Sequence, residues 1–376
     1  MAGLLPNVDP EGLLEYSVVY TDRALNHMSA SFQQVMCDIS AMLRDVYQAE
    51  EVAVVPGSGT FGMEAVARQL ATGKRCLIIR NGWFSFRWTQ ILDKGQIASE
   101  TKVMTASRSA DGPQVPFAPP PVESVVQAIK EFKPDVVFAP HVETSAGMIL
   151  PDDYLEAVGE AVRSVDGLFV LDCIASGTVW VDMSDRGVDV LISAPQKGWS
   201  GPPCSGLVML GERAIPRVEA SESTSFACDL KQWLQIMRAY LGGGHAYHAT
   251  MPTDSLRVFR DVMQETLEYG KQQACDSQWQ LGKSIRKLLE EQGFISVAAP
   301  GFQAPGVVVS YTEDPGIHTG ASFKSAGIQI AKGVPLRCGE GDEFQTFRIG
   351  LFGLDKLKDV DGAVARFRSA LESFKS

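Results

Sequence analysis

The amino-acid sequence predicts an α/β protein with a mostly parallel sheet. Short β-rich runs recur at Val52–Val55, Cys76–Ile79, Lys102–Met104, Val136–Phe138, Leu168–Leu171, Val190–Ile192 and Leu207–Leu210, separated by stretches of helical length. A glycine turn, Gly57-Ser58-Gly59-Thr60-Phe61-Gly62, follows the first run and opens a helix. Asp172 ends a later run, at the place where open α/β sheets put ligands, and Lys197 stands in the turn after the run that follows.

Length and charge bound the rest. At 376 residues the chain is long for one core and reads as two domains. A net charge of −11 without clustered Lys and Arg argues against nucleic-acid or anionic-membrane partners. Seven cysteines without a Cys-x-x-Cys pair read as reduced thiols, and five scattered histidines give no metal site. The first residues lack the layout of a signal peptide and no apolar run is long enough to span a membrane, so the reading is cytoplasmic.

In chain order, residues 1–20 read as an N-terminal arm. Phe32, Val35, Met36, Ile39, Met42, Leu43 and Val46 then predict an amphipathic helix over 29–48. The proline-rich segment Ser107–Pro121 predicts a surface excursion. A boundary near Gly242–Pro252 divides a large domain, 21–255, from a small α+β domain, 256–376. The small domain should hold a long helical stretch from Leu256 to about Leu289, runs at Phe294–Val297 and Val307–Val309, a strand through Phe347–Leu351 carrying Arg348, and a last helix, Val360–Phe374.

Three features carry chemistry. The glycine turn matches the dinucleotide pattern Gly-x-Gly-x-x-Gly, but the next run ends Ile79-Arg80-Asn81-Gly82 instead of on a ribose-binding acid. Ser58 and Thr60 add two hydroxyls, which suit a phosphate monoester better than a pyrophosphate. An NADP site would leave Lys197 and Asp172 idle. Asp172 is either a local cap or the partner of a cation. Lys197 lies in the Gly/Pro-bounded turn Ala194-Pro195-Gln196-Lys197-Gly198-Trp199-Ser200-Gly201-Pro202 and is either solvated or chemically employed. An anion site, an acid and an amine together are what pyridoxal 5′-phosphate needs.

With these residues the chain resembles the class V group of fold type I pyridoxal-phosphate enzymes, nearest to the alanine–glyoxylate, serine–pyruvate and aminoethylphosphonate aminotransferases. The matching motifs are Gly57-Ser58-Gly59-Thr60, Asn81-Gly82, His141-Val142-Glu143-Thr144-Ser145-Ala146-Gly147, Asp172, Gln196-Lys197 and Arg348-Ile349-Gly350-Leu351. The resemblance implies a large domain with a mixed, mostly parallel seven-stranded sheet, a small C-terminal domain and a homodimer with shared sites. It implies that Lys197 holds the cofactor as a Schiff base and Asp172 keeps the pyridine nitrogen protonated. Ser58, Gly59, Thr60 and Gln196 would bind the phosphate; Phe84, or neighbouring Trp83, would stack on the ring. Thr144 and Ile174 would line the cofactor, Tyr247 and Thr250 would reach the phosphate of the partner subunit, and Arg348 would bind the substrate carboxylate. The expected activity is amino transfer from a small amino acid to a 2-oxo acid such as glyoxylate or pyruvate. The alternative is a lyase or cysteine desulfurase using Cys338, in the Gly-bounded loop Arg337-Cys338-Gly339-Glu340-Gly341. The opening segment Gly12–Tyr20 departs from the group's usual Pro-Gly-Pro start, which leaves the substrate open.

Overall fold

The computed structural model describes residues 8–108 and 110–373. The beginning of the expected arm and the end of the expected last helix, Phe374, lie outside the described residues. Strands Glu51–Pro56 (β1), Arg75–Arg80 (β2), Glu100–Thr105 (β3), Val136–Pro140 (β4), Leu168–Asp172 (β5), Val190–Ser193 (β6) and Ser205–Leu210 (β7) form one seven-stranded sheet in the order β1-β7-β6-β5-β4-β2-β3. Each run read from the sequence lies in one of them. The pairs β2–β3, β2–β4, β4–β5 and β5–β6 are parallel, whereas β7 runs antiparallel to both β6 and β1. The strand ends of β1, β2, β4, β5 and β6 therefore open on the same edge, and the turn holding Lys197 reverses the chain there.

Helices Ala30–Tyr47 (α1), Gly59–Leu70 (α2), Trp83–Gly95 (α3), Val122–Phe132 (α4), Asp152–Ser164 (α5) and Leu230–Leu241 (α6) accompany this sheet. The predicted apolar stripe of α1 is buried except for Met42, which is partly so, and Ser29 caps the helix by accepting from Phe32 N–H. Helices Thr253–Tyr269 (α7), Lys271–Glu291 (α8) and Val360–Ser373 (α9) follow, with a second sheet of Val307–Tyr311 (β8), Ala331–Lys332 (β9) and Thr346–Gly350 (β10), in the order β8-β10-β9.

The sequence reading needs three corrections. The long helical stretch from Leu256 to Leu289 is two helices, because Gly270 takes φ +109°, which no helical residue can hold. Phe294–Val297 is not a strand; only Ser296 bridges to Ser310. The proline-rich excursion is also anchored: Ser107–Arg108 pairs with Phe117–Ala118, and the Phe117 ring is buried while its N–H donates to Val297 O.

The lysine turn is held from below. Trp199 is fully buried against Trp180, with ring centroids 4.7 Å apart, and packs on Tyr47 and Phe259. Gly201 N–H donates to Pro195 O and Ser200 N–H to Lys197 O, closing the turn on itself. Gly198 lies flat on Gly177, whose carbonyl occupies the space a Cβ would need. Gly198→Ala should therefore destabilise the chain by roughly 1–3 kcal/mol, the range for overpacking a tight contact. The check is the denaturant midpoint; an unchanged midpoint would mean the turn has room to move.

Candidate active site

The cluster is built from five strand ends. After β1, Gly57 takes φ +119° and Ser58 occupies the N-cap of α2, where its carbonyl accepts from the helix but its hydroxyl makes no cap bond. The N–H groups of Gly59 and Thr60, in the first turn, have no upstream carbonyl within the helix to bond. Gly59 lies so close to Ile174 that an added Cβ would meet its Cδ1 at 2.6 Å. Ile174 thus forms the wall under the anion turn, and only glycine fits above it.

After β2, α3 starts at Trp83 and separates its first residues by face. Phe84 looks toward the lysine: its ring centroid lies 5.8 Å from Lys197 Nζ, 4.8 Å from Arg87 Cζ and 5.5 Å from Arg348 Cζ. Trp83 instead meets Phe86, centroids 6.0 Å apart, and the Arg337 guanidinium. The helix turns the two residues to different sides, and Phe84 is the one that faces Lys197.

After β4 comes Glu143, fully buried, in the turn that also carries buried Thr144. Its Oε1 accepts from Phe84 N–H at 3.2 Å and from the N–H and Oγ of Ser145 at 3.0 and 2.7 Å. Its Oε2 accepts from the N–H and Oγ of Ser85 at 2.8 and 2.7 Å. Ser145 Oγ in turn accepts from Trp83 N–H at 2.9 Å. A carboxylate capping the start of α3 satisfies donors that the helix leaves free and complements its dipole.

Asp172 ends β5, 8% exposed, and its Oδ1 accepts from Ile174 N–H at 3.0 Å. The local cap is therefore present, whereas the cations Lys197 and Arg87 act on Asp172 through their charge without an ion pair among the described residues. Burial pushes this carboxyl up to about 6; the Ile174 N–H and the charges of Lys197 and Arg87 pull it back, while Glu143 adds to the rise. Lys197, after β6, has its amine 5.6 Å from the Phe352 ring centroid as well as facing Phe84. Burial lowers its pKa; Asp172 and Glu143 oppose this, and Arg348 and Arg87 reinforce it. Gln196, beside it, has a buried Oε1 without a hydrogen-bond partner.

Arg348 enters from β10, where its Nε donates to Lys332 O at 2.9 Å and keeps the guanidinium oriented. It makes no ion pair among the described residues. The structure therefore brings Phe84, Asp172, Lys197 and Arg348 to one place, with the turn Ser58–Thr60 joined to it through Ile174 and Arg87. Tyr247 and Thr250 are not part of this group within one chain: Tyr247 is exposed, its hydroxyl 3.1 Å from Thr250 Oγ1 and its ring against His27.

Sequence reasoning missed Arg87, Glu143 and Phe352 as parts of the cluster. Arg87 stands three residues after Phe84, the spacing that puts two side chains on one helix face. That signal was available. Glu143, an acid inside an apolar strand-like run, was visible only as part of a motif. Phe352 carried no signal.

Cys338 contrasts with a reactive thiol. Its Sγ donates to Arg80 O at 3.5 Å, and Glu340 pins its loop by accepting from the N–H groups of Leu336, Arg337 and Cys338. Burial, reinforced by Glu340 and Glu143, pushes the thiol up to about 12, so it carries almost no thiolate at neutral pH.

The donor set fits pyridoxal 5′-phosphate. Helix-start N–H groups and the idle Ser58 hydroxyl suit a phosphate. A buried carboxylate suits a protonated ring nitrogen, a flat aromatic suits the ring and a neutral amine suits the aldehyde. No family model matches the chain. It is 29% identical to a 2-aminoethylphosphonate–pyruvate transaminase of Burkholderia ambifaria, over 94% of this chain and 89% of that protein. An alanine–glyoxylate aminotransferase of Oryctolagus cuniculus is 25% identical over 93% of this chain and 87% of its own length. Among solved structures, an aspartate aminotransferase of subgroup IV from Thermus thermophilus matches with TM-score 0.75 at 25% identity, covering 92% of each chain.

The Asp172 carboxyl sets a pH-dependent prediction. Its folded value of about 6 lies above the unfolded 3.8, so between these pH values the folded chain holds a proton the unfolded chain has lost. Stability then falls as pH rises through that window. Without cofactor, Asp172→Asn should be more stable than the parent above the window, by up to roughly 3 kcal/mol, and equal to it below. Urea midpoints measured across pH test this; a gap independent of pH would show that the carboxylate is not the source.

Proposed function

We propose that this chain, which is a pyridoxal-phosphate-dependent aminotransferase of the class V, fold type I group, moves an amino group from a small amino acid to glyoxylate or pyruvate. The observation that carries the reading is the convergence of Lys197 and Arg348 on the Phe84 ring, with the Asp172 charge acting on Lys197, at the open edge of the sheet. When bound, the cofactor supplies an aldehyde that condenses with amines and a cationic ring that accepts the electrons released from Cα.

The chain's own residues do the rest. Ser58, Gly59, Thr60 and Gln196 would hold the phosphate, Phe84 would stack on the ring, and Ile174 and Thr144 would line the cofactor. Asp172 would hold a proton on the ring nitrogen, where the opposite charge would draw its carboxyl back below its raised value. Lys197 Nζ would carry the proton taken from the substrate's Cα. A proton carrier of this kind must be neutral, which burial favours. Arg348 offers its two terminal nitrogens to the substrate carboxylate, a fork that lysine cannot reproduce.

Glyoxylate and pyruvate are proposed as acceptors because the relatives' names carry them. The lyase or desulfurase reading is less supported, since Cys338 is protonated and tied to a backbone carbonyl. A homodimer is proposed because Tyr247 and Thr250 stand apart from the cluster, and Leu13, Leu14, Tyr16 and Val18 on the arm are exposed. No helix among the described residues is long and apolar enough to cross a membrane, and a cytoplasmic location is proposed with it.

With donor alone, about one equivalent of oxo-acid product should form per site and then stop until an oxo acid is added; in a separate, donor-free sample borohydride should fix the cofactor to the peptide containing Lys197. Repeated turnover without acceptor would overturn the assignment in favour of a lyase. Arg348→Lys should raise KM for donor and acceptor together by roughly tenfold. Mixing Lys197→Ala with the double variant Tyr247→Ala, Thr250→Ala should restore activity in mixed dimers. No recovery despite subunit exchange would count against a shared site.

A further inference from the structure

We propose that Arg87 is the fixed cation of the phosphate turn, acting through Thr60. The proposal rests on the reading of this site as a pyridoxal-phosphate site. Arg87 Nη1 donates to Thr60 Oγ1 at 3.1 Å, and its guanidinium lies 4.8 Å from the Phe84 centroid. It forms no ion pair among the described residues, whereas the arginines at positions 68, 75, 108, 186, 213, 217, 238, 257, 260 and 366 are each paired with a carboxylate.

A hydroxyl has one proton to give and two lone pairs. By occupying a lone pair of Thr60, Arg87 sets the rotor so that the Thr60 proton is free for an anion in the turn, and its positive charge adds to the helix-start N–H groups. Phe84 and Glu143 hold the arginine in place: the ring lies under the guanidinium, and the carboxylate fixes the first turn of α3 on which both residues stand. Arg348, near the same ring, is left for the substrate carboxylate. Arg87 is therefore a positioning residue for the phosphate end of the cofactor.

The test uses the full chain carrying Lys197→Ala, so that affinity is read without a covalent bond. Dissociation constants for pyridoxal 5′-phosphate and for pyridoxal, which lacks the phosphate, are measured by equilibrium dialysis. Arg87→Gln should weaken the phosphate ester at least about tenfold while moving pyridoxal by less than about twofold. Thr60→Val should do the same, and the two changes together should cost less than their product. Arg87→Lys, which keeps the charge, should recover part of the loss and covers the case in which Arg87→Gln fails to fold. Equal weakening of both ligands, or no weakening, would overturn the proposal. So would unchanged cofactor affinity with a selective loss of dicarboxylate substrates, which would assign Arg87 to substrate instead. If the Lys197→Ala parent itself shows no preference for the phosphate ester, the cofactor reading fails and the role of Arg87 falls with it; a parent preference that Arg87→Gln leaves intact overturns the role of Arg87 alone.

Discussion

A buried carboxylate that forms no ion pair among the described residues is the constraint on which the cluster depends. Glu143 is fully buried and takes five hydrogen bonds, from Phe84, Ser85 and Ser145. Left unpaired it would be costly, so the turn after β4 and the start of α3 must stay together. That coupling carries Phe84 and Arg87 to the open edge of the sheet and sends Trp83 to another side. The fit is close: Gly82 is pressed against Ser145 and Glu143, where no larger residue has room.

Around this tie, the electrostatics are balanced by distance instead of by direct pairing. Lys197, Arg87 and Arg348 gather near one aromatic ring, and Asp172 and Glu143 are the acids that face them. Burial favours a neutral lysine and a protonated aspartate, the two states in which neither group carries an unpaired charge. A bound anion and a cationic ring would reverse part of that balance. The site is therefore arranged to gain most from a ligand carrying both.

The second sheet contributes through β10, which brings Arg348 to the cluster, and through Phe352 just beyond it. The same region holds Cys338 away from chemistry. Its loop is pinned by Glu340, its thiol bonds a backbone carbonyl, and burial keeps it protonated. A glycine-bounded loop in the sequence is compatible with a mobile thiol; the packing makes it a structural one.

The sequence by itself determined the strands, the main turns and the residue types at their ends, because these are local. Apolar runs, glycines in tight turns and the periodicity of α1 depend on near neighbours, and each of the seven main-sheet strands contains a run read in advance. Breaks that depend on a single backbone angle, such as Gly270, were hidden inside a continuous helical pattern. Which of Trp83 and Phe84 faces the lysine, the burial of Phe117, and the meeting of Arg87 with Thr60 were decided only by tertiary structure. Each depends on the direction of a side chain relative to an element distant in sequence, and that direction is set by packing and by the buried hydrogen bonds of Glu143.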